Sequence, residues 1–185
     1  MESSKKDLFT KVYKMLDEVS PVSYDCGKLC NAICCVYDEE DYSNNDLVIS
    51  LFPGEELMYE NHESFDVSIG FASEFEYPES WGGEVYFLKC KTPPVCDREY
   101  RPIQCRSYPL TPHLDEEDNL HLIFDESEYP YECPLIHENI DLNVDFIETT
   151  LKAWSLLIED PLIYDFVKMD SKARIKVNRK FELVI

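Results

Sequence analysis

The chain has 185 residues and a mass of 21.7 kDa, enough for one domain with a hydrophobic core and short for two. With 44% hydrophobic and 13% aromatic residues, and only 5 Gly and 11 Pro, the composition excludes the disordered and fibrous classes. The 17 Lys and Arg against 38 Asp and Glu leave a net charge of -21, a field that repels phosphate backbones and anionic headgroups and argues against nucleic-acid and membrane-surface roles.

Residues 1–185 read as a single domain with a basic tail over 171–185, where Lys172, Arg174, Lys176, Arg179 and Lys180 against Glu182 can pair with the acidic body. Residues 1–18 carry Lys5, Lys6, Asp7, Lys11, Lys14 and Asp17 inside their apolar pattern, which no secretory signal would tolerate, and no run approaches the ~20 apolar residues of a membrane span. A cytoplasmic location is the expectation. In a reducing compartment eight cysteines point to metal ligation or redox chemistry rather than to a disulfide framework.

In chain order, Leu8, Phe9, Val12, Tyr13, Leu16 and Val19 recur at helical spacing up to Ser20-Pro21. A short apolar run over 47–52 is followed by Pro53-Gly54-Glu55-Glu56, a turn that opens a brief helix through Tyr59. Phe65, Val67, Ile69 and Phe71 alternate, and Val85-Tyr86-Phe87-Leu88 forms a second strand expected to pair with them. Residues 90–112 hold five prolines and read as an ordered loop fixed by something other than its own secondary structure. A strand over 120–124 and a loop over 129–134 follow. Val144, Ile147, Leu151, Trp154, Leu157 and Ile158 form a helical stripe broken at Pro161, with a second helix over 162–169. Ile175, Val177, Phe181, Leu183 and Ile185 alternate as an edge strand or hairpin. The expected fold is α+β, with a small, mainly antiparallel sheet between N- and C-terminal helices around a cysteine-bound metal centre.

The cysteines are clustered: Cys26, Cys30, Cys34 and Cys35 lie within ten residues, Cys90, Cys96 and Cys105 within sixteen, and Cys133 stands alone. Zinc and iron–sulfur clusters both take thiolates, usually four per centre, so all eight are candidate metal ligands in two centres, or in one with spare thiols. On a straight helix Cys26 and Cys34 would lie ~12 Å apart, whereas sulfurs around one zinc sit about 4 Å apart. Either the backbone coils there, which Gly27 and Asn31 permit, or the group feeds two centres. Arg98, Arg101 and Arg106 flank Cys96 and Cys105, where guanidinium N–H groups can donate to thiolate sulfur; pairing with Asp97 or Glu99 is the alternative.

The stretch Cys96-Asp-Arg-Glu-Tyr-Arg101-Pro102-Ile-Gln-Cys105-Arg106-Ser-Tyr108-Pro109-Leu110, with Cys34-Cys35 before it and Cys133-Pro134 after it, resembles the YkgJ-type cysteine-cluster family of zinc- or iron-chelating domains. The resemblance spans roughly residues 26–135, and residues 101–110, matching R-P-x-x-C-R-x-Y-P, are its specific part. It implies an eight-cysteine metal site. The first group here is CxxxCxxxCC where the family has a CxxCxxCC-like pattern.

Three functions compete. The first is a metal-binding protein that chelates zinc or iron, with an iron–sulfur cluster as one form of the iron. The second is an iron–sulfur redox or methyltransferase-like enzyme related to flagellin lysine methylases, for which His113 and His137 are the candidate ligands or proton carriers, His62 and His121 weaker ones, and Tyr108 an aromatic placed to pack over a cluster. The third is a zinc-stapled interaction module whose acidic runs, residues 38–41 and 115–118, face a basic protein partner of unknown identity.

Overall fold

A computed structural model describes residues 2–35, 48–60, 62–95, 98–125, 131–138, 140–176 and 183–185. The helical periodicity at the N-terminus becomes α1, Glu2–Asp17, with Phe9, Val12, Tyr13 and Leu16 buried along one face. The second stripe becomes α5, Val144–Leu157, which packs on α1, and α6, Pro161–Lys176, follows after the break at Pro161. Phe146, Ala153, Trp154 and Leu157 of α5 join Ile163 and Val167 of α6 in the main core.

Between these helices lie two short sheets. Strands β1, Val48–Ser50, β2, Phe65–Phe71, and β3, Glu84–Cys90, form an antiparallel sheet in the order β1-β3-β2, and the expected β2–β3 pairing runs in register from Phe65 opposite Cys90 to Phe71 opposite Glu84. One face supplies Val85 to the main core. The other carries Phe65 and Leu88 into a satellite cluster with Leu51 and Tyr59. The frame is thus α+β with antiparallel sheets and helices at both ends, as the sequence implies. It packs on its own apolar core, and a metal centre as its organiser is not shown.

Two expectations need correction. Residues 90–112 are not structureless: they contain α3, Ile103–Ser107, and most of β4, Leu110–Leu114, which pairs antiparallel with β5, Leu120–Phe124. Two of the prolines fit because they sit where no ladder donor is needed. Pro102 immediately precedes α3. The N–H of Asp125 donates to Pro109 O (2.8 Å) and that of Asp115 to Asn119 O (3.1 Å), so odd-numbered β4 residues face β5 and Pro112 faces outward. The second correction is at the C-terminus: α6 runs on to Lys176, so Ile175 is helical, while residues 183–185 lie along β5 through a bridge between Ile123 and Leu183. The helix continues because its last turns cover the outer edge of β4, with Leu114 N–H donating to Ser171 Oγ (2.9 Å) and Arg174 Nη1 to Pro112 O (3.2 Å). Val177 and Phe181 fall outside the described residues. Two very short helices, α2, Gly27–Cys30, and α4, Pro134–His137, complete the set and both adjoin cysteines.

Candidate metal centre

The first cysteine group does not lie on one straight helix. α2 ends at Cys30 because Asn31 (φ 53°) and Ala32 (φ 56°) both adopt the left-handed conformation, and a single 3-10 turn, Ile33–Cys35, follows. Of the two permissive residues in the sequence, Asn31 makes the bend, and Ala32 shares it at a steric cost. The reversal folds Cys34 back towards Cys26. Cys34 and Cys35 end with their sulfurs 3.9 Å apart, close to the ~4 Å between sulfurs that share one zinc.

Cys105 arrives from a different part of the chain, on α3, whose placement depends on two buried charged residues that sequence reasoning did not single out for this task. Glu55, fully buried in a 3-10 turn after Gly54, accepts hydrogen bonds from Tyr13 Oη (2.6 Å), the N–H of Phe52 (3.0 Å) and the N–H of Ile103 (2.7 Å). The last of these satisfies an orphan donor in the first turn of α3. Tyr13 Oη also hydrogen-bonds Tyr59 Oη at 2.7 Å. Burial holds the Glu55 carboxyl above the usual range, opposed by these donors and by Arg106.

Arg106, one residue after Cys105, turns inward. Its guanidinium lies 4.1 Å from the Tyr13 ring centroid, pairs with Asp17, and donates to the carbonyls of Arg98 (2.7 Å), Glu99 (2.8 Å) and Arg101. Its described donors are directed to backbone and carboxylate, so the donation to a thiolate expected from its place in the sequence is not among these contacts. What it does is bind the 98–101 turn to α1, anchoring the short helix that carries Cys105.

The third segment brings Cys133, buried immediately before α4 and packed with Val22 and Leu135 in a small apolar cluster that Cys26 and Tyr108 also touch. The electrostatics join these segments. Cys34 interacts with Cys35, Cys105 and Cys26; Cys26 interacts with Cys133; and Cys133 interacts with Cys30. Six of the expected ligands, from three separated segments, are thereby linked pair by pair within electrostatic reach. Cys90, at the end of β3, packs against the satellite cluster near Tyr59 and Tyr100. Cys96 lies outside the described residues, as does the acidic run 38–41.

Two arginines set the charge balance. Burial pushes the Cys26 thiol up, and Arg101 and Arg98 oppose it; Arg98 also approaches Asp25 at 3.9 Å, tying the 98–101 turn to the first cysteine group. The contact between the two sulfurs lowers Cys35, against burial and with help from Arg101, and raises Cys34, so the pair favours one thiolate and one thiol. Cys133 is raised by burial, and the start of α4 and the Tyr108 hydroxyl draw it back down. Arg98 and Arg101 therefore act on thiols, and Tyr108 sits beside one, on the T-shaped contact it makes with Tyr131.

The histidines go elsewhere. His113 is buried in β4, where burial and Arg174 lower its pKa. His121 bonds Asp115 (3.0 Å), and His62 lies against Tyr100 and Phe65. His137 closes α4, one turn after Cys133. The acidic run 115–118 forms the β4–β5 turn, with Asp118 paired to Lys168.

The donor set fits a thiolate-binding metal in chemistry, being all sulfur with cationic neighbours, and the Cys34–Cys35 spacing fits in distance. Among the described residues no three His, Cys, Asp or Glu side chains converge tightly enough to hold an ion. Also among the described residues, no helix is long and apolar enough to cross a membrane. Compared with known proteins, the chain matches no protein-family model, no curated protein and no solved structure.

Proposed function

We propose that this chain is a cytoplasmic metal-binding protein that chelates zinc or iron through its cysteines. The reading is supported by the contact between the Cys34 and Cys35 sulfurs at 3.9 Å and by the pairwise electrostatic coupling that links Cys26, Cys30, Cys34, Cys35, Cys105 and Cys133, with Arg101 and Arg98 acting on the first group. Cys90 and Cys96 complete the proposed set. Cys26, Cys30, Cys34, Cys35 and Cys133 are free thiols, which suits a reducing compartment. The resemblance of residues 26–135 to YkgJ-type domains supports the same reading through its motif residues.

Zinc is the proposed metal, since no ferredoxin spacing is present and the ligands come from distant segments, as a structural staple requires. When bound, the metal would supply a charge that holds the three segments together. Arg101 and Arg98 favour the thiolate forms, and Tyr108 orients Cys133. Protein purified without oxygen should be colourless and carry about one or two zinc ions per chain. A brown protein with iron and acid-labile sulfide, bleached by dithionite, would replace zinc with an iron–sulfur cluster and favour a redox or methyl-transfer enzyme. A fully reduced, metal-free protein that takes up neither zinc nor iron would end the chelation reading.

A further inference from the structure

The two sheets treat their edges differently. In the β4–β5 sheet both outer edges are occupied: Ser171 and Arg174 of α6 bond β4, while Leu122 of β5 donates its N–H to Ile185 O (3.1 Å) and accepts from Val184 N–H (2.8 Å). In the other sheet β2 is an edge strand, and no described strand pairs with its outer side. It is seven residues long and contains no proline, lysine or arginine, so of the devices that blunt an edge it carries only the charge of Asp66.

Ladder parity identifies which groups face outward. The N–H of Ala72 donates to Gly83 O (2.9 Å) and that of Lys91 to Ser64 O (3.0 Å), so even-numbered residues of β2 bond β3. The odd-numbered residues Val67, Ile69 and Phe71 therefore point their N–H and C=O away from the sheet. The same three side chains are 39%, 58% and 56% exposed. On the opposite face Phe75 lies over Gly70, where a Cβ would stand 3.0 Å from its ring. Among the described residues, unpaired outward backbone and exposed apolar side chains thus belong to the same three positions.

The order Phe65-Asp66-Val67-Ser68-Ile69-Gly70-Phe71 reads almost the same in both directions about Ser68. We propose that β2 pairs antiparallel with β2 of a second copy of this chain, across a twofold axis through Ser68, to make one continuous six-stranded sheet. In that register Val67 faces Ile69 of the second copy and Phe65 faces Phe71, apolar against apolar, with the outward backbone groups of each Val67–Ile69 pair exchanging both bonds. Asp66, the only charged residue of the strand, meets Gly70 and is already paired with Lys91 at 2.7 Å. A chain of net charge -21 can approach a copy of itself most easily where its charge is least, and this strand is such a place.

The test is sedimentation of the full chain over roughly two decades of concentration, with Ile69→Lys alongside it. The expected result is a concentration-dependent species of twice 21.7 kDa whose association weakens at least about tenfold in the variant. Ile69→Pro serves as a second variant, because it deletes an outward N–H and leaves the β3 ladder intact. Ser68→Cys places thiols ~4.5 Å apart between Cα atoms in this register, so gentle oxidation should join position 68 to position 68 in a peptide map, with the parent chain as control. A chain that stays monomeric throughout, a dimer indifferent to both Ile69 variants, or a bridge from position 68 only to other cysteines would overturn the proposal.

Discussion

The two sides of α3 are fixed by different physics. On the inner side Ile103, Arg106 and Ser107 are buried against α1, and Glu55 supplies a carboxylate to the helix start, so position is set by packing and by hydrogen bonds within the protein. On the thiol side the buried apolar groups are few, Val22, Cys133 and Leu135, with the partly buried Tyr108, Ile136, Ile140 and Leu142 packed on them, and the thiols coupled there repel once ionised. A region with so little apolar burial needs another source of order, and under the proposed function a metal held by the thiols supplies it. The inner side needs none.

Metal removal should separate the two sides most strongly. Chelation is expected to cost several kcal/mol of apparent stability, with hydrogen exchange rising in residues 22–35 and 131–138 while α5 and α6 stay protected. Equal loss of protection in both regions would show that the thiols are not a separate unit. Single Cys105→Ser and Cys133→Ser variants should each bind less metal per chain, measured by elemental analysis.

The inner side should break through Glu55. Glu55→Ala leaves the N–H groups of Phe52 and Ile103 without an acceptor and the Tyr13 hydroxyl with Tyr59 Oη alone, at ~1–3 kcal/mol for each unsatisfied buried group. A loss of about 3–5 kcal/mol in urea unfolding is expected, and a loss under about 1 kcal/mol would refute the anchoring role. Arg106→Met should cost somewhat less, about 2–4 kcal/mol, and should expose the 98–101 turn to protease.

Protonation sharpens the comparison. Because burial raises the folded-state pKa of Glu55, the folded chain holds this proton more tightly than the unfolded one, and its contribution to stability falls as pH rises from about 4.3 through the raised value. Unfolding of Glu55→Gln should therefore fall less steeply with pH across that window, and parallel profiles would place the titration elsewhere. The smallest effect belongs to the thiol side: Ala32→Gly relieves a left-handed alanine and should stabilise by about 1 kcal/mol, visible as a small rise in melting temperature.

What could be read from the sequence follows from which interactions are periodic. α1, α5 and the β2–β3 pair rest on apolar repeats of 3.6 and 2, and these survive in the residue order. β4 was hidden because Pro112 argues against a strand unless one knows that its nitrogen faces an edge, which the β5 register alone decides. Cysteine spacing revealed that thiols would meet, since clustering is a local property. It could not reveal Glu55 or the inward turn of Arg106, because a buried glutamate looks like any other until Tyr13, Phe52 and Ile103 surround it.

The packing of α1 on α5 has a consequence for how the chain is made. Asn143 Nδ2, at the entrance to α5, donates to Ser20 O just beyond α1, and the two partners are 123 positions apart. At 5–20 residues per second a ribosome needs roughly 6 to 25 s to cover that interval. During this time the face bearing Phe9, Val12 and Leu16 has been synthesised but its cover has not, and a 16-residue helix alone is marginal in water. An element made well before its partner is thus among the last to settle, and for that interval the nascent chain carries the apolar face of α1 open to chaperones.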